Sequence, residues 1–255
     1  MSEMPAANGH APPGAAAPVL PPLYRSLEPL TAERHRALRL RDAGYGFAAQ
    51  ASAIPLAAEE FGVAARTLPI VFAAQAPHMP VALTGLTSGS NQFVGPDGTW
   101  RQGVYIPAYL RRVPFFLVRA SQASDQLVLC LDTTAAQVSE TEGEPIFDAE
   151  GKATPQLDRA LAFVKSVEEA MLRTRAITEQ LSALGLLKAA VVEFPQAGRP
   201  LRVDGFFAVD RPALAALPAD KLADLRDRGW LEVIYAHLLS IGGMPELARH
   251  VAPPG

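Results

Sequence analysis

The chain has 255 residues, 49% hydrophobic and 19% charged, which suits one large globular domain or two small ones with a sizeable core. Its net charge of -3, with no Lys/Arg run longer than two, gives no general attraction to nucleic acid, so none is expected as a partner.

The N-terminus, "MSEMPAANGHAPPGAAAPVLPP", is dominated by Ala and Pro. It lacks the basic and continuous apolar regions of a Sec signal. Residues 1–22 are therefore expected to be a disordered or polyproline-like tail, ahead of one domain over 23–255. The expected location is cytoplasmic, with export to the surface by a non-Sec route as the alternative. No apolar run approaches the ~20 residues that cross a bilayer, so no membrane span is expected.

"LTAERHRALRL" (30–40) predicts a short helix capped by Thr31. "IPLAAEEFGVAAR" (54–66) predicts another, opened by Pro55 and interrupted by Gly62. Its adjacent Glu59 and Glu60 point in different directions and form no acid/base pair by spacing. The period then changes. Segments 68–74, 80–86, 91–95, 115–120 and 126–132 are short, rich in β-formers and bounded by Gly, Pro, Asn or Asp. "VGPDGTW" carries a Pro-Asp-Gly turn between Phe93 and Trp100. Such closely spaced strands predict antiparallel pairing. The only cysteine, Cys130, lies in the apolar "LVLCLD" and reads as a buried structural thiol.

"DAEGK" (148–152) predicts a turn, and a sub-boundary near 150 is conceivable. From Thr154 to Leu184, apolar residues recur at three- and four-residue spacing, with one gap of six, through Leu157, Leu161, Val164, Val167, Met171, Ile177, Leu181 and Leu184. This predicts a long amphipathic helix ended by Gly185 and packed on the sheet. Strands follow at 188–194 and 203–210. Two helices close the chain: Pro218 suits a first turn, Gly229 a break, and Leu231, Ile234, Tyr235, Leu238 and Leu239 mark the second. The fold class expected is α+β: a central, mainly antiparallel sheet with segregated helices.

Chemical motifs are scarce. His10, His35, His78, His237 and His250 have no metal-ligand spacing, and no Cys pair exists, so neither metal nor cofactor is expected. His237 reads as a satisfied core histidine. "GLTSGSNQF" lacks phosphate-loop spacing, and no G-x-S-x-G elbow is present. Asp132 ends an apolar strand, where it serves a turn more readily than a reaction.

The segment "YIPAYLRRVPFFL" (105–117) is the best candidate site. Pro107 can open a helical turn, and Pro114 drives Val113 out of helical geometry. Arg111 and Arg112 then occupy the last turn, where cations favour the helix dipole. Consecutive helical residues diverge by about 100°, so at most one of the two is expected to enter a site. Tyr105 and Tyr109, four apart, offer an aromatic shelf beside one of them. Asn91, Trp100, Asp132 and His237 complete the candidate ligand-binding set. No catalytic residue is assigned.

The chain resembles the bacterial SapC family from about Leu27 to Arg249. The resemblance rests on "HRALRL", "IPLAAEEF", "LPIVF", "NQFVGPDGTW", "YIPAYLRRVPFFL", "LCLD", "IFDAEGKATPQL", "GFFAVD" and "IYAHLLSI". The family name comes from a surface-layer gene cluster, and relatives resemble products encoded near outer-membrane receptors and halogenase- or oxygenase-like enzymes. The resemblance implies a non-catalytic binding or accessory protein, working with another protein of an envelope, uptake or modification system. The alternative is an enzyme or small-molecule binder with a pocket lined by 105–117. A lattice subunit is the third reading, and the absence of Gly/Asp-rich calcium nonapeptides counts against it.

Overall fold

A computed structural model of the chain describes residues 20–120, 126–195 and 200–251. Residues 1–19 of the expected tail lie outside that range. Pro22, counted as tail above, is tied to the body: its carbonyl accepts a 2.9 Å hydrogen bond from the Tyr109 hydroxyl.

Antiparallel sheets with segregated helices make up the fold, as expected for the α+β class. In chain order the first elements are β1 (Glu28–Pro29), α1 (Ala32–His35), β2 (Arg39–Leu40), β3 (Ala53–Pro55) and α2 (Phe61–Ala64). The middle holds β4 (Ile70–Ala73), β5 (Pro80–Leu83), α3 (Ala108–Arg111), β6 (Phe115–Arg119), β7 (Leu127–Leu131), β8 (Val138–Ser139) and β9 (Glu144–Pro145). Then come α4 (Pro155–Ala183), β10 (Leu187–Phe194), β11 (Leu201–Val209), α5 (Arg211–Ala215), α6 (Ala219–Asp227), α7 (Trp230–Ser240) and α8 (Met244–Arg249). The five-stranded sheet runs β10-β11-β4-β5-β3, and two smaller ones run β1-β7-β6 and β8-β2-β9.

Two predicted helices are shorter than their sequence pattern. Of 30–40, only Ala32–His35 is helical, because Arg39 and Leu40 pair with β8 and β9. The Thr31 side chain makes no cap; the buried His35 ring meets the Thr31 backbone instead. Of 54–66, Pro55 is a strand residue paired with Val81, and helical structure starts only with a 3-10 turn at Ala58–Glu60 that leads into the α-helix at Phe61. The predicted strand at 91–95 is reduced to one bridge, Val94 to Trp100, which closes the Pro-Asp-Gly turn. There Gly98 has φ +81° and donates to the Gly95 carbonyl.

The long helix matches its pattern. Thr154 caps α4, accepting from the Leu157 N–H, and Gly185 ends it at φ +68°. Its ~44 Å length spans two cores. Leu157 and Val164 pack with Phe115, Leu117 and Leu131 of the β6–β7 sheet. Leu181 packs with Phe61, Phe72, Leu225 and Ile234 against the large sheet. Each such fully buried side chain contributes roughly 1.5–3 kcal/mol. Midway, the buried face carries Ala170, Thr174 and Thr178 rather than Met171. Thr174 Oγ1 accepts from the Ala58 N–H at 2.8 Å and donates to the Ala170 carbonyl at 2.7 Å. A small polar side chain here satisfies the turn leading into α2, which a methionine could not.

Gly143, at φ +95° between β8 and β9, lies against β2, and an added Cβ would run into the Leu40 carbonyl. The left-handed backbone alone costs an L-residue about 1–2 kcal/mol, so Gly143→Ala should destabilise by more than that. Urea unfolding checks it, and an unchanged midpoint would contradict the packing of β8-β2-β9.

Candidate functional site

The segment 105–117 folds as its prolines dictate. Pro107 precedes the single turn of α3, Arg112 caps it, and β6 begins after Pro114. A carboxylate that sequence reasoning set aside fixes the start of this turn. Glu60 is buried, and its Oε1 accepts from the Ala108 N–H at 2.7 Å and the Tyr105 hydroxyl at 2.9 Å. Its Oε2 accepts from the Ala57 N–H at 2.9 Å, joining the turn before α2 to α3. Burial, and then the Glu60 charge, push the Tyr105 hydroxyl up to about 12, with Arg111 pulling the other way. Adjacent Glu59 faces solvent and pairs with Arg173 at 2.6 Å, so the two glutamates diverge as expected.

The two arginines also diverge. Arg111 is exposed; its Nε donates to the Ile106 carbonyl at 3.1 Å and its Nη2 to the Tyr105 hydroxyl at 3.2 Å. Its guanidinium lies 5.2 Å from the Phe163 ring centre. Arg112 is 3% exposed, with its guanidinium 4.1 Å from the ring centres of both Tyr109 and Phe116. Each tyrosine of the predicted shelf thus accompanies one arginine. Burial raises the Tyr109 hydroxyl, with Arg112 opposing it. Arg112 Nη1 stands 3.9 Å from Glu168 Oε2, yet Nε and Nη1 have no hydrogen-bond partner among the described residues.

Both arginines line one pocket of about 220 Å³, although at most one was expected to. Arg112 is the buried member of the pair and Arg111 the exposed one. Arg41, Gln137 and Gln156 add polar groups, and Leu40, Phe115, Phe163 and Val164 supply apolar wall.

The other candidates are not gathered there. Asn91 is bound to its own neighbourhood, donating to the Ala48 carbonyl and accepting from the Phe93 N–H. Trp100 packs against Tyr45 and Phe93 and donates to the Val104 carbonyl at 3.2 Å. Asp132 is buried as a turn residue: Oδ2 accepts from the Arg25 N–H at 2.7 Å, and Oδ1 from the Thr134 N–H and hydroxyl. His237 is fully buried, with Nδ1 2.8 Å from the Ile70 carbonyl and Nε2 accepting from the Val209 N–H at 3.0 Å. Those partners fix the neutral tautomer with the proton on Nδ1. Burial lowers its pKa to about 4, against the Ile70 hydrogen bond and with help from Arg211. Cys130 is buried, and burial raises its thiol.

A larger groove of about 680 Å³ lies where α2, α4 and the α6–α7 junction meet. Phe61, Val63, Ile177, Trp230 and Val233 form its apolar part, and Arg173, Arg228 and Glu232 charge its rim. Beyond Glu232 along α7, Tyr235 is 51% exposed and Leu239 75% exposed. Residues three and four apart share a helix face, so Tyr235 and Leu239 form a short apolar strip on the face of α7 that carries Glu232 to the rim of the groove. Both are among the apolar residues that mark this helix in the sequence; of the pairs at 234–235 and 238–239, Ile234 and Leu238 turn inward.

Sequence reasoning missed Glu60, Arg41, Gln137 and the groove. For Glu60 one local signal existed: a Glu at the third position of a helix start, reaching back to the first backbone N–H. Its other partners lie 45 and 48 residues away. Among the described residues no group of three or more His, Cys, Asp or Glu could hold a metal ion. No helix there is long and apolar enough to cross a membrane.

No curated protein and no solved structure is similar to this chain. The model of the SapC family matches residues 30–247, including both arginines, Glu60, the groove and the α7 strip. The chain therefore belongs to the SapC family.

Proposed function

We propose that the protein is a non-catalytic binding or accessory protein that docks onto another protein of a surface-layer, envelope or uptake system. The observation that carries this reading is the exposed apolar pair of Tyr235 and Leu239, on the face of α7 that also carries Glu232 at the rim of the groove. Clustered exposed aromatic and aliphatic side chains beside a groove are the anatomy of a protein-binding hot spot. Further support comes from where polar groups are used. His237, Asp132 and Asn91 are all held by backbone partners, leaving each little freedom to move a proton for a substrate. The family's association with surface-layer and receptor genes supplies the envelope. The proposed compartment is the cytoplasm, and fractionation of native cells distinguishes it from non-Sec export.

The test is capture from native cells with the tagged full chain. It should recover an envelope protein or a modifying enzyme. Leu239→Asp should reduce that capture at least about tenfold, since buried hot-spot residues are worth 2 kcal/mol or more. Fold stability should stay within about 0.5 kcal/mol, because Leu239 is a surface residue. Recovery of no such partner, or capture indifferent to Leu239→Asp and Tyr235→Asp together, would overturn the reading.

A further inference from the structure

The 220 Å³ pocket beside α3 is built for a charge that the chain does not itself supply. Three guanidinium groups line it, from Arg41, Arg111 and Arg112, and no acidic side chain does. Two carboxylates lie nearby. Glu142 pairs with Arg41 at 2.8 Å, and Glu168 stands 3.9 Å from Arg112, beyond hydrogen-bond reach. One positive charge is left over. Arg112 is the sharpest sign of a missing partner. Its side chain is 2% exposed; the Tyr109 and Phe116 rings flank the guanidinium and the Tyr24 and Tyr109 hydroxyls interact with it, yet Nε and Nη1 make no well-aligned hydrogen bond among the described residues. Leaving buried donors of a charged group unmade is costly, and native structures avoid it.

The rest of the pocket is already ordered. Arg111 is held by the Ile106 carbonyl, the Tyr105 hydroxyl and the Phe163 ring. Arg41 Nε donates to the Ala136 carbonyl at 3.0 Å. Gln156 Oε1 accepts from Arg159 at 2.9 Å. Gln137 Nε2 donates to the Gly44 carbonyl at 3.1 Å, which fixes the orientation of its amide. Its Oε1 is then an unpartnered buried acceptor among the described residues. The pocket thus lacks an anion and an N–H or O–H donor together.

Size and wall chemistry narrow the ligand. A volume of 220 Å³ is about seven waters' worth, room for one small residue and not for a folded chain. Phe115, Phe163 and Val164 favour a ligand with an apolar part, which inorganic phosphate lacks. A free α-ammonium would meet three guanidinium groups and no carboxylate in the lining.

We propose that this pocket binds an N-acylated amino-acid carboxylate with a small apolar side chain, the chemistry of a peptide C-terminus. The carboxylate pairs with the arginines, the amide N–H meets Gln137 Oε1, and the side chain lies on Phe163 and Val164. Terminal carboxylates are recognised in this way elsewhere by clustered donors. The site is centred some 15 residues along α4 from the α7 groove, about 20 Å by helix rise, and stands independently of the docking proposed there.

Calorimetric titration of the full chain with N-acetyl-L-leucine, N-acetyl-L-leucinamide, L-leucine and inorganic phosphate tests the assignment. N-acetyl-L-leucine should bind, with the amide and the free amino acid at least about tenfold weaker, as expected for loss of a charge-assisted pair. Arg111→Gln, an exposed change that leaves the thermal midpoint in place, should weaken binding by a similar factor. A peptide ending in leucine that binds as well as N-acetyl-L-leucine identifies a protein C-terminus as the source. Exclusion of that peptide, with N-acetyl-L-leucine still bound, identifies a free acyl amino acid. No binding at millimolar concentrations, equal binding of the amide, binding of phosphate alone, or indifference to Arg111→Gln would each overturn the proposal.

Discussion

Lowering the pH from 7 to 4 is expected to cost the fold about 3 kcal/mol through His237 alone. The ring is fully buried and bridges β4 to β11 through the Ile70 carbonyl and the Val209 N–H. Nε2 must stay unprotonated to accept from Val209. Burial accordingly lowers the folded-state pKa from 6.5 to about 4. Between those values the unfolded chain takes up a proton that the folded chain refuses. The stabilisation is therefore complete above pH 6.5 and is lost as pH falls towards 4. His237→Gln can still accept from Val209 but leaves the Ile70 carbonyl without its donor, so it should cost about 1–3 kcal/mol at pH 7. It cannot titrate, so the two proteins should converge in stability at pH 4. Urea midpoints at pH 7, 5.5 and 4 measure this. An unchanged slope in the variant would place the acid sensitivity elsewhere.

Glu60→Gln is expected to destabilise by about 2–4 kcal/mol, more than any surface change near the site. The carboxylate accepts from three donors: two backbone N–H groups, of Ala57 and Ala108, and the Tyr105 hydroxyl. An amide offers one oxygen and turns an NH2 group towards at least one of these donors. The start of α3 then loosens, and with it the platform that orients Arg111. Thermal unfolding reads the loss of stability. Ultraviolet titration supplies a second readout. The Tyr105 hydroxyl, held at about 12, should ionise more easily once the Glu60 charge is gone. It should remain above its ordinary 10.0, because burial is the larger cause. A Tyr105 titration indifferent to the change would contradict the link between Glu60 and the site.

What could be read from the sequence was set by sequence distance. The ends of α4 were legible because Thr154 and Gly185 act on their own turns. The strands at 70–73, 80–83 and 115–119 announce themselves by composition and bounding prolines. The helix over 30–40 failed because β8 and β9, about a hundred residues later, recruit Arg39 and Leu40. Pro55 misled for a related reason: pairing with Val81 outweighed its preference for a first helical turn. At the site, the divergence of Arg111 and Arg112 follows from helical geometry alone. Their meeting in one pocket does not. It depends on Phe163 of α4 and on Arg41 and Gln137 from two other segments. The α7 strip was visible as apolar residues, but adjacent pairs such as Leu238 and Leu239 do not say which member faces inward.

A protein partner docked through α7 and the groove beside it would shield those segments from solvent. Hydrogen exchange, measured on the chain alone and on the complex recovered from native cells, tests it most directly. Exchange should slow in Phe61–Ala64 and Trp230–Ser240, with β6 and β7 unchanged. Protection confined to β6 and β7, or none at α7, would contradict it.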